Sequence, residues 1–527
     1  MNSFLSKILS RNRNIILCLA LAGLAGYAVV LPTQFKTMDD LVSIVNNPRI
    51  KHISRIGEIF TTSFFMEGSY YRPLVLVSFM AEFHLFALKS FFYNLTNLFL
   101  HIGNALFVFW IVTSLMKDKR TGFFSAFIFV IHPVHWEAVS NIPGRSILLC
   151  SFFFLSSFYS FLKFETQDKK NPFYYISVVC FILALLSKES AVMLPFVLAG
   201  YLFFMRDKDK GRSYGLLWPY MALMVFYFII RRLLGITRVT AWDTPLEVWL
   251  GVGTFLKTCL YFTRQILLPV DFYYDHTTLL FVRPGDPVLM LSLCVWAGVF
   301  TAIFLNRRKI PAALLFFISW IVLNFGTVAQ IIPIRAPGGR ISTSDHFLYL
   351  PVIGAIVLLV TVTQNILSRP GSLKPSIKQI LVGGYILFLF LTLLQQNVYA
   401  TNQIAMFKRS LEHNPGNHRV RNSLAVCYGY AGKFEEAEYH YRQTLNYEPY
   451  NTKALIGLGK ALADQGKYEE ALAQYRNVKE VGILEGSYKG NLEYVYSRLI
   501  EQYEESGQTE KAKEIAGQLE MIKATKD

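Results

Sequence analysis

The sequence predicts an all-helical protein in two parts, a polytopic membrane bundle followed by a C-terminal helical solenoid. Two observations predict this fold class. Of the 527 residues, 53% are hydrophobic and only 17% charged, which is more apolar side chain than a soluble domain of this size can bury. The tail is polar instead, and its small and aromatic residues recur at a fixed spacing. We expect the membrane domain over 1–398 and the second domain over 399–527.

The membrane part contains about eleven apolar runs that can cross a bilayer, a crossing needing roughly 20 residues. Two further runs, 73–89 and 252–269, are ambiguous. Basic clusters between the runs are typical of cytoplasmic loops, and all of them stay inside if neither ambiguous run spans. Counting one run alone would put the later clusters outside, whereas counting both would leave the C-terminus on the same side as counting neither. Both of these last two counts place the C-terminus outside. We predict spans at 14–32, 92–116, 121–134, 145–163, 172–187, 189–205, 214–231, 287–305, 310–327, 347–366 and 378–397.

The charge and cysteine patterns argue against a nucleic-acid-binding protein and against a protein held together by a metal site or disulfides. The net charge is +16, but the basic residues lie in loop clusters at 117–120, 208–212 and 306–309, which argues against a nucleic-acid partner. The six cysteines are scattered, with neither metal-site nor disulfide spacing. The apolar run over 15–30 lacks a clear cleavage site after it, so we interpret it as an uncleaved first span rather than a signal peptide.

The tail carries a repeat with a period of 34 residues, which is typical of tetratricopeptide repeats (TPR). The expected turns fall at Gly432 and Gly466, and a third, shifted unit contains Gly507. About three repeats are predicted. Such a solenoid offers a concave groove to an extended peptide or a partner protein. The alternative interpretation is that it only caps the fold. The repeating residues of the first unit are Leu424, Ala425, Tyr428, Gly432, Phe434, Ala437, Tyr441 and Pro449.

Two adjacent carboxylates, Asp39 and Asp40, follow the first span. One interpretation is a solvated loop or a helix N-cap, where aspartate is common. The other is a general base for an acceptor hydroxyl, with the second carboxylate positioning the acceptor or tuning the first.

A second polar group lies where two spans meet on the outer side, with His132, His135 and Glu137 followed by Arg145. Polar groups at that depth are costly unless they form a site or a satisfied network. The histidines and glutamate could be metal ligands, but Pro133 interrupts the single helix that such spacing needs. The guanidinium of Arg145 is suited to a phosphate.

Further cations lie at other outer corners. Lys188 beside Glu189 is either an interfacial ion pair or a second phosphate contact, and Arg72 and Arg340 each precede an apolar run. Asn97 and His101 share one face of a span and are expected to form interhelical hydrogen bonds. The sequence has neither a Walker loop nor a GxSxG motif, which disfavours an ATP-driven machine and a serine hydrolase.

Taken in order, these motifs resemble one family along nearly the whole chain. The sequence is similar to the transmembrane and TPR-containing O-mannosyltransferases and their bacterial relatives, which have the GT-C glycosyltransferase fold. The motifs that carry the resemblance are the Asp39-Asp40 pair, YRPL at 71–74, the Asn97/His101 span, HPVHWEAVSNIPGR at 132–145, LLSKES at 185–190, YFTRQILLPVDFYYDH at 261–276, DHFLYLP at 345–351 and the terminal repeats.

The resemblance implies an inverting transfer of mannose or a similar hexose from a polyprenyl-phosphate donor to Ser or Thr hydroxyls of a protein. It implies Asp39 as the base with Asp40 beside it, and acceptor binding in the TPR groove by Tyr428, Tyr441 and Tyr475. The lipid-linked sugar is a substrate and no cofactor is expected, with a divalent metal as the alternative. The donor pocket is implied to involve Arg145, Lys188, His135, Glu137, Arg72 and Arg340.

The chain departs from the family pattern in two places, its short repeat array and the stretch Ser342–His346, where Asp345-His346 replaces the expected acidic-basic pair. We expect a bacterial inner-membrane protein with both domains on the periplasmic side, or the luminal side of the endoplasmic reticulum in a eukaryote. Two other functions remain open, a transferase for glycans or lipids and a non-catalytic TPR scaffold on a membrane anchor.

Overall fold

The chain forms two compact units in the computed structural model. The first comprises Met1–Phe272 and His276–Thr401, and the second comprises Tyr273–Asp275 and Asn402–Asp527. Both are helical, apart from a small sheet in the first. The residues that the structure describes are 8–37, 39–65, 70–166, 172–206, 214–236, 244–279, 285–329, 335–336, 340–369, 374–480 and 488–524.

The first unit is built from apolar helices, several of which begin on proline, where the missing N–H group costs no hydrogen bond. The longer helices are Asn12–Tyr27, Pro73–Phe86, Ser90–Met116, Lys119–Ile131, Arg145–Thr166, Phe173–Leu185, Leu194–Phe204, Trp218–Leu233, Pro245–Leu267, Pro287–Asn306, Ala312–Asn324, Pro351–Ser368 and Pro375–Thr401. The short helices and turns are Ala28–Val30, Leu41–Val45, Pro48–Lys51, Ile53–Arg55, Ile56–Thr61, Pro133–His135, Trp136–Val139, Ile142–Gly144, Glu189–Met193, Tyr214–Leu217, Gly326–Val328 and Asp345–Leu348.

These helices make the chain an integral membrane protein. Within the described residues, seven helices are long and apolar enough to cross a membrane, and Lys119–Ile131 with Pro133–Val139 adds an eighth, bent by 51°. The bend falls at His132, because a residue before proline is driven out of the helical region. The other three predicted spans correspond to shorter apolar helices, Phe173–Leu185, Glu189–Phe204 and Ala312–Val328.

The two ambiguous runs are also helical. Pro73–Phe86 is a short apolar helix. Pro245–Leu267 is longer but carries Glu247, Lys257 and Arg264, and it is not among the helices apolar enough to span. The three-stranded sheet was not predicted. Its strands are short and pair in the order β1-β3-β2, with β1 Thr277–Leu279, β2 Arg335–Ala336 and β3 Arg340–Ser342.

The helix Ser90–Met116 holds the surrounding loops in place. One of its faces buries Asn94, Asn97, His101 and Asn104, at the three- and four-residue spacing of a single helix side. Asn94 donates to the carbonyls of residues 31 and 33, and Asn97 donates to those of 139, 141 and 142. His101 and Asn104 both contact the hydroxyl of Tyr349. This face therefore positions the loops after the first span and before Arg145–Thr166.

The second unit consists of helix pairs separated by glycine turns. Gly432, Gly466 and Gly507 have φ of 71°, 79° and 72°, a left-handed conformation that favours glycine at the end of each first helix. The turn positions predicted for the first two repeats are confirmed, and Gly507 has the same role in the third. The helices of the unit are Gln403–His413, His418–Tyr430, Phe434–Tyr447, Thr452–Asp464, Tyr468–Glu480, Lys489–Glu505 and Thr509–Ala524.

The three tyrosines predicted to bind the acceptor are buried packing residues. Tyr428 and Tyr441 are each 5% exposed, and Tyr475 is 1% exposed. Tyr475 packs so closely on Gly459 that a Cβ there would lie 2.7 Å from its ring, and Tyr441 packs on Gly457 in the same way. The prediction that these side chains contact the acceptor is wrong, because rings that fill the space between helices are not accessible to a peptide.

Candidate active site

The loop after the first span is held by Lys36. Its backbone N–H donates to Oδ2 of Asp40 at 2.7 Å, and its ammonium donates to the carbonyl of Ser140 at 2.7 Å and to the side chain of Asn141. Asp40 is 2% exposed, whereas Asp39 is half-buried. Burial raises the pKa of Asp40 to about 7, an effect that the hydrogen bond and charge of Lys36 oppose.

Burial also acts on Lys36, lowering its pKa to about 8, while the carboxylates of Asp40 and Glu137 raise it. The two aspartates therefore differ. Asp40 is buried and held by the backbone N–H of Lys36, whereas the neighbouring Asp39 is only half-buried.

Glu137 connects this loop to the segment before Pro351–Ser368. Its carboxylate accepts two hydrogen bonds from His346, from the backbone N–H at 3.2 Å and from Nδ1 at 2.8 Å. The neighbouring Asp345 accepts from the indole N–H of Trp136 at 3.1 Å and lies 3.4 Å from Nε2 of His276. Residues from 136–137 and 345–346 thus form one buried polar contact region.

A third group surrounds the predicted cation Lys188. The guanidinium of Arg72 contacts both carboxylate oxygens of Glu189, at 2.6 and 3.2 Å, and stacks 4.4 Å from the ring of Tyr70. Arg72 is therefore already paired. Lys188 is 8% exposed, and no described residue is hydrogen-bonded to its ammonium. Burial and the charge of Arg72 lower the pKa of Lys188 to about 8.

Of these groups, Lys188, Glu189 and His346 line a narrow cleft of about 520 Å³, counting the part open to the outside, whereas Lys36, Asp39 and Asp40 do not. Its polar lining is Lys188, Glu189, Ser190, Asn324, Thr327 and His346, and its apolar lining is Ile147, Val328, Phe347, Leu350 and Pro351. The carboxylate of Glu137 acts on two lysines, raising the pKa of Lys188 and that of Lys36. The cleft is therefore a concave site with a histidine, five apolar side chains and a buried lysine whose ammonium has no hydrogen bond or ion pair among the described residues.

Arg145 occupies a different environment from the one predicted. It is fully buried, with an ion pair to Glu82 at 3.1 Å and hydrogen bonds to Asn97 and to the carbonyl of Tyr93. Its guanidinium also lies 5.2 Å from the ring centre of Phe79. These contacts correct the interpretation of Arg145 as a phosphate ligand, because its charge and its donors are already satisfied by the protein.

His135 is fully buried among rings and does not line the cleft. Its ring lies 4.4 Å from that of Phe129 and 4.6 Å from that of Tyr349, measured between centres. His132 donates from Nε2 to the carbonyl of Ile266 and accepts the N–H of Val134 at Nδ1. Both nitrogens of His132 are used, which leaves none for a metal, and the described residues contain no group of three His, Cys, Asp or Glu side chains placed to hold one.

Arg340 is the remaining predicted site residue. The backbone of Arg340 lies in β3, and its side chain is outside the part of the chain described. Sequence reasoning missed Lys36, Glu82 and the Glu137 contact of His346. The only local signal for them was a charged residue in or beside an apolar run, which does not reveal a partner far along the chain.

Comparison with known proteins supports the two-part interpretation. A family model described as tetratricopeptide repeat matches residues 430–480. The mouse (Mus musculus) protein O-mannosyl-transferase TMTC3 is 24% identical over 77% of this chain and 48% of its own length. The human (Homo sapiens) protein O-mannosyl-transferase TMTC1 is 23% identical, covering 77% and 52%. The Drosophila melanogaster protein O-mannosyl-transferase Tmtc3 is 24% identical, with the same coverage as the human protein.

The chain is similar in sequence to proteins named protein O-mannosyl-transferase. Because the match covers 77% of the chain, it includes most of the membrane part. The chain spans about half the length of these relatives.

Proposed function

We propose that this protein transfers a hexose, mannose or a close analogue, from a polyprenyl-phosphate donor to Ser or Thr hydroxyls of proteins. The observation that carries the proposal is Lys188, a residue only 8% exposed whose ammonium has no hydrogen bond among the described residues, in a cleft that also has apolar lining. A lipid-linked phosphate combines the negative charge and the apolar chain that such a cleft suits. The names of the homologues and the TPR unit support a protein acceptor.

The acceptor hydroxyl attacks the anomeric carbon while its proton passes to a carboxylate, for which we propose Asp39. Asp39 is the more accessible of the two aspartates, and Asp40 is held by the Lys36 N–H at 2.7 Å. Asp40 is thus a positioning residue that fixes the loop. Attack from the face opposite to the phosphate inverts the anomeric carbon.

The bond between the anomeric carbon and the phosphate oxygen breaks, and its electron pair stays on that oxygen. The leaving phosphate gains negative charge at this step, and the ammonium of Lys188 stabilises it in a site of low dielectric. Because phosphate is already a good leaving group, the protein mainly positions the reactants and supplies a base. The positive-inside pattern supports an extracytoplasmic site.

The test uses the full chain in vesicles with polyprenyl-phosphate [³H]mannose and Ser/Thr-rich peptides. The wild type transfers label to peptide, and Asp39→Asn reduces the rate at least a hundredfold, the usual scale for loss of a general base. Glu58→Gln is the matched control, because Glu58 is an exposed carboxylate in the same loop. It is expected to retain the wild-type rate.

Other outcomes separate the alternatives. Label in glycan or lipid instead of peptide identifies a transferase with a different acceptor. If the folded protein transfers no sugar from any polyprenyl-phosphate donor, the remaining interpretation is a non-catalytic scaffold. Full activity in Asp39→Asn overturns the assignment of the base.

A further inference from the structure

The ammonium of Lys36 joins two loops that are far apart in the sequence. Lys36 is only 6% exposed, and its Nζ donates to the carbonyl oxygen of Ser140 at 2.7 Å and to Oδ1 of Asn141. These contacts reach across 104 and 105 residues. Lys36 therefore holds the loop after the first span against the turn that follows Glu137.

The turn that receives Lys36 is itself fixed to membrane helices. The side chain of Asn97 donates to the backbone carbonyl of Asn141 at 2.9 Å. The hydroxyl of Ser140 donates to Oδ1 of Asn397 at 2.7 Å. Both residues that accept from Lys36 are thus held by a second partner, and the turn is a fixed anchor for the loop.

The loop at the other end of this contact carries the two aspartates. The backbone N–H of Lys36 donates to Oδ2 of Asp40 at 2.7 Å, and the hydroxyl of Ser43 donates to the backbone carbonyl of Asp39 at 2.5 Å. The segment is closed by these bonds on both sides of Asp39. A shift of Lys36 would therefore displace the carboxylate of Asp39 with it.

The ammonium of Lys36 is not needed to hold Asp40. Lys36→Met would keep that hydrogen bond, because the donor is the backbone N–H. It would lose only the anchor at Ser140 and Asn141. Since burying an ammonium is costly, an apolar side chain of similar length in its place need not destabilise the fold. The contribution of the ammonium is expected in the position of the loop.

We propose that Lys36 is a positioning residue for the proposed base: its ammonium anchors the loop at the turn 140–141 and so sets where the carboxylate of Asp39 meets the acceptor hydroxyl. This inference rests on the proposed function. Lys36 contacts no reacting atom, and the acceptor proton still passes to Asp39. Positioning of this kind acts after the substrates have bound, so it is expected in kcat and not in KM.

The test measures sugar transfer by the full chain in vesicles, with tritium-labelled polyprenyl-phosphate mannose and Ser/Thr-rich peptides. Lys36→Met is expected to lower kcat by about tenfold to a hundredfold, because a misplacement of about 1 Å can have such an effect. KM for both substrates should stay unchanged. Lys51→Met is the matched control, since Lys51 belongs to the same loop and ends the helix Pro48–Lys51. It is expected to match the wild type.

A double variant separates positioning of the base from direct contact with substrate. In Asp39→Asn the base is absent, so its displacement has no further consequence. Asp39→Asn combined with Lys36→Met should therefore transfer sugar at the rate of Asp39→Asn alone. A lysine that bound the donor would lower the rate by the same factor in both backgrounds. Additive losses overturn the proposal, and so does a wild-type kcat in folded Lys36→Met.

Amide hydrogen exchange tests the anchor without sugar transfer. Lys36→Met should exchange faster than the wild type over residues 39–47 and 140–144, with an unfolding temperature lowered by no more than a few degrees, because local opening is favoured over global unfolding. Unchanged exchange in both segments refutes the anchor. Faster exchange in a protein whose wild type transfers no sugar refutes the proposed function alone.

A second variant covers the case in which Lys36→Met does not fold. Asn141→Ala removes one of the two acceptors of the ammonium and leaves Lys36 in place. It should lower kcat in the same direction but by less, and it should have no effect in the Asp39→Asn background. A wild-type kcat in Asn141→Ala, or a loss that persists without Asp39, overturns the proposal.

Discussion

Arg145 and Lys188 are both buried cations at the ends of apolar segments, yet their surroundings differ. Arg145 has an acidic partner in Glu82, hydrogen bonds to Asn97 and Tyr93, and an aromatic ring beneath it. Lys188 lines a cleft, and no described group is hydrogen-bonded to its ammonium. Burying a charge is costly unless it is paired, so a buried cation left without a partner indicates a site whose partner is a ligand.

The comparison separates stability from function. At the Arg145 cluster the protein supplies every contact, and the residue stabilises the packing of three helices. At the Lys188 cleft the contacts are incomplete without substrate, and the residue is expected to contribute little to folding. Three substitutions test this contrast, from the largest expected effect to the smallest.

Arg145→Met should lower the free energy of unfolding by about 3–5 kcal/mol, because the carboxylate of Glu82 remains buried without its partner. Thermal unfolding of the purified protein in detergent measures this. The double variant Arg145→Met with Glu82→Leu removes both charges and should recover most of the loss. Wild-type stability in Arg145→Met, together with lost binding of a lipid phosphodiester probe such as farnesyl methyl phosphate, would restore Arg145 as a phosphate ligand.

Lys188→Met should leave the unfolding temperature unchanged and weaken binding of the same probe at least tenfold, because one charge contact to phosphate is lost. In the wild type, affinity should also fall as the pH rises through about 8, where Lys188 loses its proton. Arg72, Glu189 and Glu137 are the charged groups that act on it.

Lys188→Arg provides the matched control, since a guanidinium stays charged at pH 9.5. That variant should keep its affinity where the wild type loses it. The same fall above pH 8 in both proteins would show that another group is responsible.

Tyr475→Phe should have the smallest effect, a change in unfolding free energy within about 1 kcal/mol and none in sugar transfer. Its hydroxyl is buried, and no described group is hydrogen-bonded to it. The ring, not the hydroxyl, fills the space beside Gly459. A large loss of transfer in this variant would contradict the packing role and indicate that the second unit binds acceptor through this tyrosine.

The sequence by itself predicted those features that depend only on residues close together along the chain. Apolar runs of sufficient length predicted the membrane helices, because a helix satisfies its own backbone hydrogen bonds wherever it lies in the bilayer. The 34-residue spacing predicted the turns at Gly432 and Gly466, because only glycine adopts their left-handed conformation without strain. The pair Asp39-Asp40 could be located by position alone, directly after the first span.

The tertiary structure alone decided which charged groups are paired. Arg72 meets Glu189 across 117 residues, and Glu137 meets His346 across 209. No local spacing carries that information, because such contacts depend on how helices pack. For the same reason the sequence could nominate both Arg145 and Lys188 as phosphate ligands, but only the fold shows that Arg145 already has a carboxylate partner and that Lys188 faces the cleft.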